Sequence, residues 1–246
     1  MNNLKTNFGK RKIKASQKTS LVQSVFTNVS KKYDLMNDIM SLGSHRIWKK
    51  TLIEIMNIKV NEKIIDVGSG TGDLINLILA QNKKNEIHCV DLNKKMLEEC
   101  KKKIRITNFN KIKFTNANAE KLPYANNLFD KYIISFCLRN VTHIDKTLDE
   151  AYRILKPGGC FYCLEFSKPK TSLINLLYNK YKNKIIPLIG EKLANNKDAY
   201  KYLEESISLF PNQENLLNII NSAGFKNSSY INIFDGIVCI HIGYKV

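Results

Sequence analysis

One segment, Lys63–Asp73, constrains the fold of this chain more than any other. It reads Lys-Ile-Ile-Asp-Val-Gly-Ser-Gly-Thr-Gly-Asp, an apolar run that ends in an acid and three alternate glycines. The apolar run predicts a buried strand, and alternate glycines let the backbone turn tightly and lie against a ligand. A helix that begins at Leu74 would point its free N–H groups and positive dipole end at that ligand. The segment therefore predicts a nucleotide site at the carboxyl edge of a parallel sheet.

The rest of the chain alternates between predicted strands and helices. Further strands are expected at Glu86–Asp91, Lys113–Asn116, Lys131–Phe136 and Cys160–Glu165. Helices are expected at Lys94–Lys103 and at Asp145–Leu155, where Pro157-Gly158-Gly159 ends the second. Alternating units of this kind imply an α/β fold with a doubly wound, mostly parallel sheet. Two β-like runs at Ser229–Ile233 and Ile237–Ile242 predict an antiparallel hairpin at the carboxyl terminus.

Three segments lie outside this rhythm. We expect residues 1–19 to form a basic tail and residues 20–246 to form one domain, with N-terminal helices at 20–58. The first 33 residues contain eight Lys or Arg and no acid, which is compatible with an organelle-targeting segment or with a basic tail. An insertion at 168–210 follows the fifth strand, where additions commonly cover the ligand edge and build a substrate pocket. Its apolar residues are candidates for membrane docking or for the core of a lid: Leu173, Leu176, Leu177, Ile185, Ile186 and Leu188.

The charge of the chain leaves two partners open. Lys and Arg number 39 against 22 acids, a net charge of +17 that suits nucleic acid or an anionic membrane surface. The lysines are dispersed along the chain, however, which favours ordinary solvated positions. No apolar run approaches the roughly 20 residues that span a bilayer.

The cysteines predict neither a disulfide nor a metal site. Only Cys160 and Cys163, of six cysteines, form a Cys-x-x-Cys pair, and no second pair completes a zinc site. They lie in a predicted strand, where residues three apart point to opposite faces. We therefore expect free thiols and no metal.

The acids around the glycine turn indicate which nucleotide is bound. Asp91 ends the second predicted strand, where a carboxylate can accept hydrogen bonds from both ribose hydroxyls of an adenosine. The dinucleotide fingerprint is Gly-x-Gly-x-x-Gly, whereas this chain has Gly-x-Gly-x-Gly followed by Asp73. An acid at that position would repel a pyrophosphate and suits a cationic cofactor that carries an amino acid. The pattern favours S-adenosylmethionine (SAM).

Three further features resemble landmarks of the class I SAM-dependent methyltransferases, which have a Rossmann-like fold. Asn116–Tyr124 follows the third predicted strand and is similar to the loop that reads the adenine edge in that class. Ser135 in the fourth strand and the Pro-Gly-Gly turn before the fifth complete the set of landmarks in their usual order.

Three motifs then resemble one family within that class, the UbiE/COQ5 C-methyltransferases of ubiquinone and menaquinone biosynthesis. Tyr33–Trp48 (Tyr-Asp-Leu-Met-Asn-Asp-Ile-Met-Ser-Leu-Gly-Ser-His-Arg-Ile-Trp) is similar to the family's N-terminal signature, and Arg153–Ser167 to its second signature. Ser135–Thr142 resembles the segment that leaves the fourth strand. The resemblance runs from about Thr6 to the carboxyl terminus. The chain departs from it at Cys137 and Lys201, where the family usually has Gly and Arg.

The resemblance implies a reaction, a set of cofactor contacts and a cellular setting. SAM would methylate a ring carbon of a polyprenylated 1,4-benzoquinol of the 2-methoxy-6-polyprenyl type, with demethylmenaquinol as the alternative acceptor. The enzyme would associate peripherally with a membrane and join a multi-enzyme complex, with a homodimer left open. In a eukaryote this would be the matrix side of the mitochondrial inner membrane, and in a bacterium the cytoplasm. The residues expected to contact SAM are Asp66, Gly68, Gly70, Thr71, Asp91, Asn118, Ala119 and Ser135.

The chemistry of the acceptor suggests the catalytic residues. A phenol titrates near 10, so the site must stabilise a quinolate at neutral pH. Arg139 would pair with the developing phenolate, and Asn140 would orient the ring or a water. Tyr33 and His45 are candidates for a proton relay. Each residue also has a structural alternative. Arg139 could form an ion pair with Glu165, Tyr33 could pack the N-terminal helix against the domain, and His45 could form a hydrogen bond on a helix surface.

Two other functions compete with this interpretation. A nucleic-acid methyltransferase would fit the charge, but enzymes that methylate an exocyclic amine carry Asn/Asp-Pro-Pro-aromatic after the fourth strand. This chain has Ser135-Phe-Cys-Leu-Arg139 there, so we expect no nucleic-acid substrate. A SAM-binding scaffold without catalysis is the other alternative, against which Asp91, Asn118 and Arg139 argue.

Overall fold

The fold is a seven-stranded sheet between helices, preceded by a small two-stranded hairpin, in a computed structural model. The structure describes residues 5–30, 33–81, 84–104, 111–181 and 197–246. The strands of the hairpin are β1 (Lys5–Phe8) and β2 (Arg11–Lys14). Those of the sheet are β3 (Lys63–Val67), β4 (Glu86–Asp91), β5 (Ile112–Asn116), β6 (Phe129–Ser135), β7 (Leu155–Phe166), β8 (Lys226–Ile233) and β9 (Val238–Tyr244).

The order of the strands fixes where a ligand can bind. The sheet runs β5-β4-β3-β6-β7-β9-β8, with β3 to β7 parallel and β9 antiparallel to both β7 and β8. The prediction of a doubly wound, mostly parallel sheet with an antiparallel C-terminal hairpin is confirmed. The chain order reverses between β3 and β6, which opens a crevice beyond the carboxyl ends of these strands. The glycine segment follows β3 and therefore lies in that crevice.

Helices cover both faces of the sheet. They are α1 (Ala15–Val29), α2 (Tyr33–Ser41), α3 (Ser44–Met56), α4 (Asp73–Gln81), α5 (Lys94–Lys103), α6 (Ile144–Ile154), α7 (Ser172–Lys180), α8 (Lys197–Leu209) and α9 (Gln213–Ser222). One core layer packs α3, α4 and α5 on the sheet, and the other packs α6 and α9 on the opposite face. Cys160 belongs to the first layer and Cys163 to the second, so these two thiols do face opposite ways. All six cysteines are free.

Several boundaries differ from the prediction. Strand β7 begins at Leu155, five residues before the expected start at Cys160, because Gly158 (φ +79°) lets the backbone turn within the strand and rejoin the sheet. Strand β6 ends at Ser135 because Phe136 takes a left-handed conformation (φ +52°).

Residues 5–19 are structured, whereas the sequence assigned them to a basic tail. Residues 5–14 form the β1–β2 hairpin, and α1 begins at Ala15. The hairpin turns at Gly9 (φ +55°), and the Phe8 ring stacks on Tyr202 of α8 with centroids 4.5 Å apart. The Lys10 backbone N–H donates to Glu205 Oε2 at 2.9 Å. The partners that order this segment lie almost two hundred residues away.

The N-terminal helices and the insertion pack together at the carboxyl edge of the sheet. Met36 of α2 shares a core with Tyr200, Leu203 and Ile207 of α8. The described part of the insertion consists of α7 and α8; Ile185, Ile186 and Leu188 lie outside the described residues. Among the helices of the described part, none is long and apolar enough to cross a bilayer.

Candidate functional site

The glycine turn after β3 brings the backbone close to two other elements. The Gly68 N–H donates to the Val90 carbonyl at 2.8 Å, and Gly68 has φ +73°. A Cβ at Gly68 would lie 2.3 Å from Cys137 Sγ, so any side chain here would meet the loop after β6. Gly70 (φ +55°) donates its N–H to Asp91 Oδ2 at 2.9 Å. The turn therefore connects the ends of β3, β4 and β6 and leaves no room for side chains at its base.

Two adjoining cavities lie over this turn. The larger encloses about 770 Å³, including space open to solvent, and the smaller about 340 Å³. The larger is lined by six of the predicted cofactor residues: Gly68, Gly70, Asp91, Asn118, Ala119 and Ser135. The smaller holds the other two, Asp66 and Thr71, and shares Tyr33, Gly68, Gly70, Ser135 and Phe136 with the first. All eight predicted cofactor residues thus meet in one continuous space.

Asp91 is set up to accept a diol. Its Oδ2 accepts from the Gly70 N–H and its Oδ1 from the Asn93 N–H, at 2.9 and 2.7 Å. Each carboxylate oxygen keeps lone-pair capacity, because a carboxylate has about four acceptor sites. Burial raises the pKa of Asp91 to about 6. Hydrogen bonds from two ribose hydroxyls would stabilise its charged form.

The far end of the larger cavity suits an adenine. Asn118 Oδ1 accepts from the Glu120 N–H at 2.9 Å, which fixes the loop after β5, and Ala119 is buried beside it. Ser135 lines both cavities, and its buried Oγ has no hydrogen-bond partner in the described part of the chain, so a ligand that crosses between the cavities could supply one.

Asp66 is the least satisfied polar group in the site. Its side chain is 1% exposed, and neither carboxylate oxygen has a hydrogen-bond partner among the residues that the structure describes. Burial raises the pKa of Asp66 to about 7, against the opposing effect of Lys49. A buried charge without partners is costly. A ligand that brings an ammonium group into the smaller cavity would remove that cost, and the amino group of SAM has this chemistry.

Asp73 lines the smaller cavity beside the glycine turn, as the sequence suggested, but its charge has a partner within the protein. Its carboxylate forms an ion pair with Lys49 Nζ at 2.7 Å, so its charge is already compensated. The acid near the turn that is free to meet a cationic ligand is Asp66. SAM remains the cofactor that the site fits, but the acid that favours its cationic group is Asp66 rather than Asp73.

The N-terminal helices cover the cofactor cavities. The Thr71 hydroxyl donates to Asp34 Oδ1 of α2 at 2.6 Å. From α1, Gln23 Nε2 donates to the Leu92 carbonyl at 3.0 Å, and Thr27 Oγ1 accepts from Asn93 Nδ2 at 2.8 Å. The last two contacts fall directly after Asp91, so α1 crosses the position where a ribose would sit.

Arg139 is buried in an ion pair. Its Nη1 lies 2.8 Å from Glu165 Oε1, with the two side chains 5% and 1% exposed, and it also donates to the Phe136 carbonyl. The structural alternative weighed from the sequence is thus present. Among the described residues, Arg139 Nε nevertheless has no hydrogen-bond partner, and Arg139 lines a groove that adjoins the larger cavity at Val141 and Thr142. The ion pair therefore leaves one buried N–H of the guanidinium unsatisfied.

Asn140 is oriented from both sides. Its Nδ2 donates to the Phe136 carbonyl at 3.3 Å, and its Oδ1 accepts from the Tyr202 hydroxyl at 3.1 Å. Asn140 lines the larger cavity, whereas Tyr202 lines the groove with Arg139. The carbonyl of the left-handed Phe136 accepts hydrogen bonds from both Arg139 and Asn140 and so connects these two side chains.

The two proton-relay candidates separate in the structure. Tyr33 lines both cavities, and burial raises the pKa of its phenol to about 12, so it is a proton donor rather than a base at neutral pH. His45 is buried in the corner between α2 and α3, with Nδ1 2.9 Å from Ser41 Oγ. It lines neither cavity. The structure thus brings Tyr33, Arg139 and Asn140 together, but not His45.

Sequence reasoning missed three residues that shape the site. Tyr202 orients Asn140, Gln23 helps to close the cofactor cavity, and Lys49 compensates Asp73. Each contacts a residue far away in the sequence, so no local pattern could have revealed it. The one available signal was that Tyr202 lies within the part of the chain that resembles the family, directly after the departure at Lys201.

Comparison with protein families and curated proteins gives one consistent match. A family model described as "ubiE/COQ5 methyltransferase family" matches residues 12–245. The chain is 51% identical to the ubiquinone/menaquinone biosynthesis C-methyltransferase UbiE of Rickettsia bellii, over 98% of this chain and 99% of that protein. It is 48% identical to the protein of the same name from Rickettsia felis, with the same coverage.

Solved structures agree on the fold. A SAM-dependent methyltransferase of Thermotoga maritima superposes with a TM-score of 0.65 at 18% identity, covering 92% of this chain and all of that chain. The phosphoethanolamine N-methyltransferase 2 of Haemonchus contortus, crystallised with S-adenosyl-L-methionine, gives a TM-score of 0.59 at 14% identity. That match covers 80% of this chain and 52% of the other. The shared architecture is the class I methyltransferase fold.

Proposed function

Because the chain belongs to the ubiE/COQ5 methyltransferase family, and is therefore a SAM-dependent C-methyltransferase, we propose that it methylates a ring carbon of a polyprenylated 1,4-benzoquinol. An acceptor of the 2-methoxy-6-polyprenyl type would make the reaction a step of ubiquinone biosynthesis. Demethylmenaquinol, in menaquinone biosynthesis, is the second candidate, because the name of the relatives covers both routes.

The proposed donor site rests chiefly on Asp66, a buried carboxylate that no described residue hydrogen-bonds. Asp66 would accept from the amino group of SAM, and Asp91 from the two ribose hydroxyls. Asn118 and Ala119 would contact the adenine, and Ser135 would contact the ligand where the two cavities meet. When bound, SAM supplies an electrophilic methyl group on a sulfonium. The glycines at 68 and 70 would let the cofactor lie close to the backbone.

In the proposed mechanism, the protein's task at the acceptor is to favour its ionised form. A ring carbon becomes nucleophilic once the neighbouring hydroxyl is deprotonated, and a fixed cation near that oxygen stabilises the anion. Arg139 is suited to this task because Glu165 holds it while its Nε stays free. It cannot act as a base itself, since a guanidinium stays protonated.

Asn140 and Tyr33 would assist Arg139. Asn140, held by Tyr202, would orient the quinol ring or a water that removes its proton. Tyr33 would donate a hydrogen bond, because its raised pKa keeps the phenol neutral. The relay role expected for His45 stays a prediction without support from its position.

The proposal includes a location and partners. The acceptor's polyprenyl chain dissolves in a bilayer, so the enzyme would associate peripherally with a membrane and would work beside other enzymes of the route. A homodimer remains open. The relatives compared above are bacterial, and they lend no support to the mitochondrial location expected for a eukaryotic cell. In a bacterium the enzyme would act from the cytoplasmic side of the membrane.

A labelling experiment tests the proposed acceptor. The purified chain is incubated with methyl-labelled SAM and, separately, a reduced short-chain benzoquinol, a reduced demethylnaphthoquinone and total RNA. We expect label in the benzoquinol, at a ring carbon. Label confined to the naphthoquinol would assign the enzyme to menaquinone biosynthesis instead. Label in RNA alone, or in none of the three, would refute the proposal.

A further inference from the structure

Helix α7 carries an apolar face that is largely exposed to solvent. Leu173, Leu176 and Leu177 are 64%, 68% and 59% exposed. Their spacing puts them side by side on one face of the helix. Single exposed leucines are common on protein surfaces, but a stripe of three on one helix face marks an interaction surface.

The opposite face of α7 looks toward the candidate site. Ile174 and Tyr178 are half-buried there. Burial raises the pKa of the Tyr178 phenol, and the positive charge of Arg139 opposes that effect. Helix α7 therefore turns Ile174 and Tyr178 toward the protein and its leucines toward solvent.

The start of α7 is clamped to the turn between β8 and β9. The Thr171 N–H and hydroxyl both donate to the Asp235 carboxylate at 2.9 Å, and the Lys170 N–H donates to the Asp235 carbonyl. Phe234 and Asp235 both have left-handed backbones (φ +48° and +58°), which is strained for residues other than glycine. Phe234 is held 54% exposed, so the turn that fixes α7 also presents an aromatic ring to solvent.

The charge around this surface points to one kind of partner. The run from Phe166 to Gly190 contains five lysines and no acid. Lys170 and Lys180 flank α7 and are exposed. Leucines and an aromatic ring flanked by Lys170 and Lys180, with the nearby Asp235 carboxylate engaged by Thr171, match the interface of an anionic bilayer, where apolar side chains insert and lysines meet phosphate groups.

We propose that this docking face, defined as Leu173, Leu176, Leu177 and Phe234, binds the surface of an anionic phospholipid bilayer. Helix α7 then lies on the membrane with its inner face toward Arg139. A quinol whose chain stays in the bilayer reaches the site beneath α7 without being extracted into water. Only this last step rests on the proposed function; the docking itself does not.

Vesicle sedimentation tests the docking without any substrate. The full chain is mixed with vesicles of phosphatidylcholine alone, or of phosphatidylcholine with phosphatidylglycerol. We expect binding to the anionic vesicles, and a loss of at least about tenfold in partitioning for the triple variant Leu173→Gln/Leu176→Gln/Leu177→Gln. The variant Lys170→Gln/Lys180→Gln should weaken binding and reduce its dependence on salt.

A matched control uses apolar residues on the other side of the molecule. Val60 and Val246 are 55% and 79% exposed, and they lie near the amino ends of β3 and β7, away from the docking face. The double variant Val60→Gln/Val246→Gln should bind vesicles like the unmodified chain. Equal loss in this control would overturn the proposal. Undiminished vesicle binding by the triple variant would also overturn it. So would light scattering that shows a dimer for the unmodified chain and a monomer for the triple variant.

Activity on two acceptors separates this inference from the proposed function. The triple variant should methylate a short-chain, water-soluble benzoquinol at the normal rate, but should lose turnover of a long-chain quinol in anionic vesicles. If neither protein methylates any quinol while vesicle binding follows the pattern above, the proposed function fails and the docking face stands.

Discussion

Arg139 and Glu165 form an ion pair at 2.8 Å in which both side chains are almost entirely removed from water. Arg139 follows β6 and Glu165 lies near the end of β7, so two neighbouring parallel strands deliver the two charges to the same edge of the sheet. Opposite charges in such a place compensate each other's desolvation, and the loss of one leaves the other uncompensated. The pair therefore links stability to the proposed chemistry, and the two effects can be separated by substitution.

Removing the charge of Glu165 tests the structural side of the pair. Glu165→Gln keeps the shape of the side chain but leaves Arg139 as a lone buried cation, so the free energy of unfolding should fall by about 3–5 kcal/mol. Urea denaturation measures this change. The exposed pair Lys50–Glu54 provides a control, because Glu54→Gln should cost less than about 0.5 kcal/mol. Equal costs for the two variants would contradict the assigned role of the buried pair.

Removing Arg139 tests the catalytic side. Arg139→Ala should lower kcat on a short-chain benzoquinol by at least about a hundredfold, while the Kd for SAM stays within about threefold. Single-turnover kinetics and calorimetry give the two quantities. Asp91→Ala, in contrast, should abolish SAM binding. Retained turnover in the Arg139 variant would remove this residue from the mechanism.

Asp66 predicts an unusual pH dependence for the ligand-free protein. Burial raises the pKa of Asp66 to about 7, above the value of about 3.9 for an unfolded chain. Between those values the folded protein binds the extra proton, so its stability should fall as pH rises from about 4 to 7. Asp91, with a pKa raised to about 6, acts in the same direction.

The variant Asp66→Asn isolates this contribution. It should be more stable than the unmodified chain at pH 7 and should show a flatter stability profile between about pH 4 and pH 7, measured by thermal unfolding. Its affinity for SAM should drop by about tenfold or more, because the amide cannot compensate an ammonium group. Unchanged affinity would show that Asp66 does not hold the amino group.

Gly68 and Cys137 offer a double-mutant test of the glycine turn. Gly68→Ala should destabilise the fold by about 2–3 kcal/mol, because the new Cβ would lie 2.3 Å from Cys137 Sγ and φ is +73°. Adding Cys137→Gly removes the clash but not the backbone strain, so about half of the loss should return. Denaturation of all four proteins in the cycle gives the coupling energy. Strict additivity would mean that the two residues do not meet.

Tyr202 should affect turnover through Asn140. Tyr202→Phe deletes only the hydroxyl that donates to Asn140 Oδ1, and it should cost about 1 kcal/mol of stability. We expect kcat to fall several-fold with little change in the Kd for SAM. Tyr200→Phe is the matched control, since the buried Tyr200 hydroxyl has no hydrogen-bond partner within the described ranges. Equal effects on kcat in the two variants would contradict the role given to Tyr202.

The strand–turn–helix core could be predicted from the sequence because each of its signals is local. The apolar run at Lys63–Val67, the alternate glycines and the acid at Asp91 each report on their own backbone. The C-terminal hairpin is likewise marked by Asp235-Gly236 and its flanking strands. These features needed only the periodicity and conformational preferences of adjacent residues.

The features that escaped prediction depend on distant partners. Two acids lie near the glycine turn, and Lys49 decides which of them has an uncompensated charge. Lys49 forms an ion pair with Asp73, whereas Asp66 has no hydrogen-bond partner among the described residues. The β1–β2 hairpin was predicted to be a basic tail because the sequence near Phe8 does not indicate that Phe8 packs on Tyr202. His45 looked catalytic by its place in a signature, yet its ring is engaged by Ser41.

The stacking of Phe8 on Tyr202 also has a consequence for the order of events during synthesis. These residues are separated by 194 positions, an interval that takes roughly 10–40 s at the usual rate of translation. The amino-terminal hairpin leaves the ribosome first, but it cannot pack against α8 until that helix has been made. The earliest segment to be synthesised is therefore among the last to be docked.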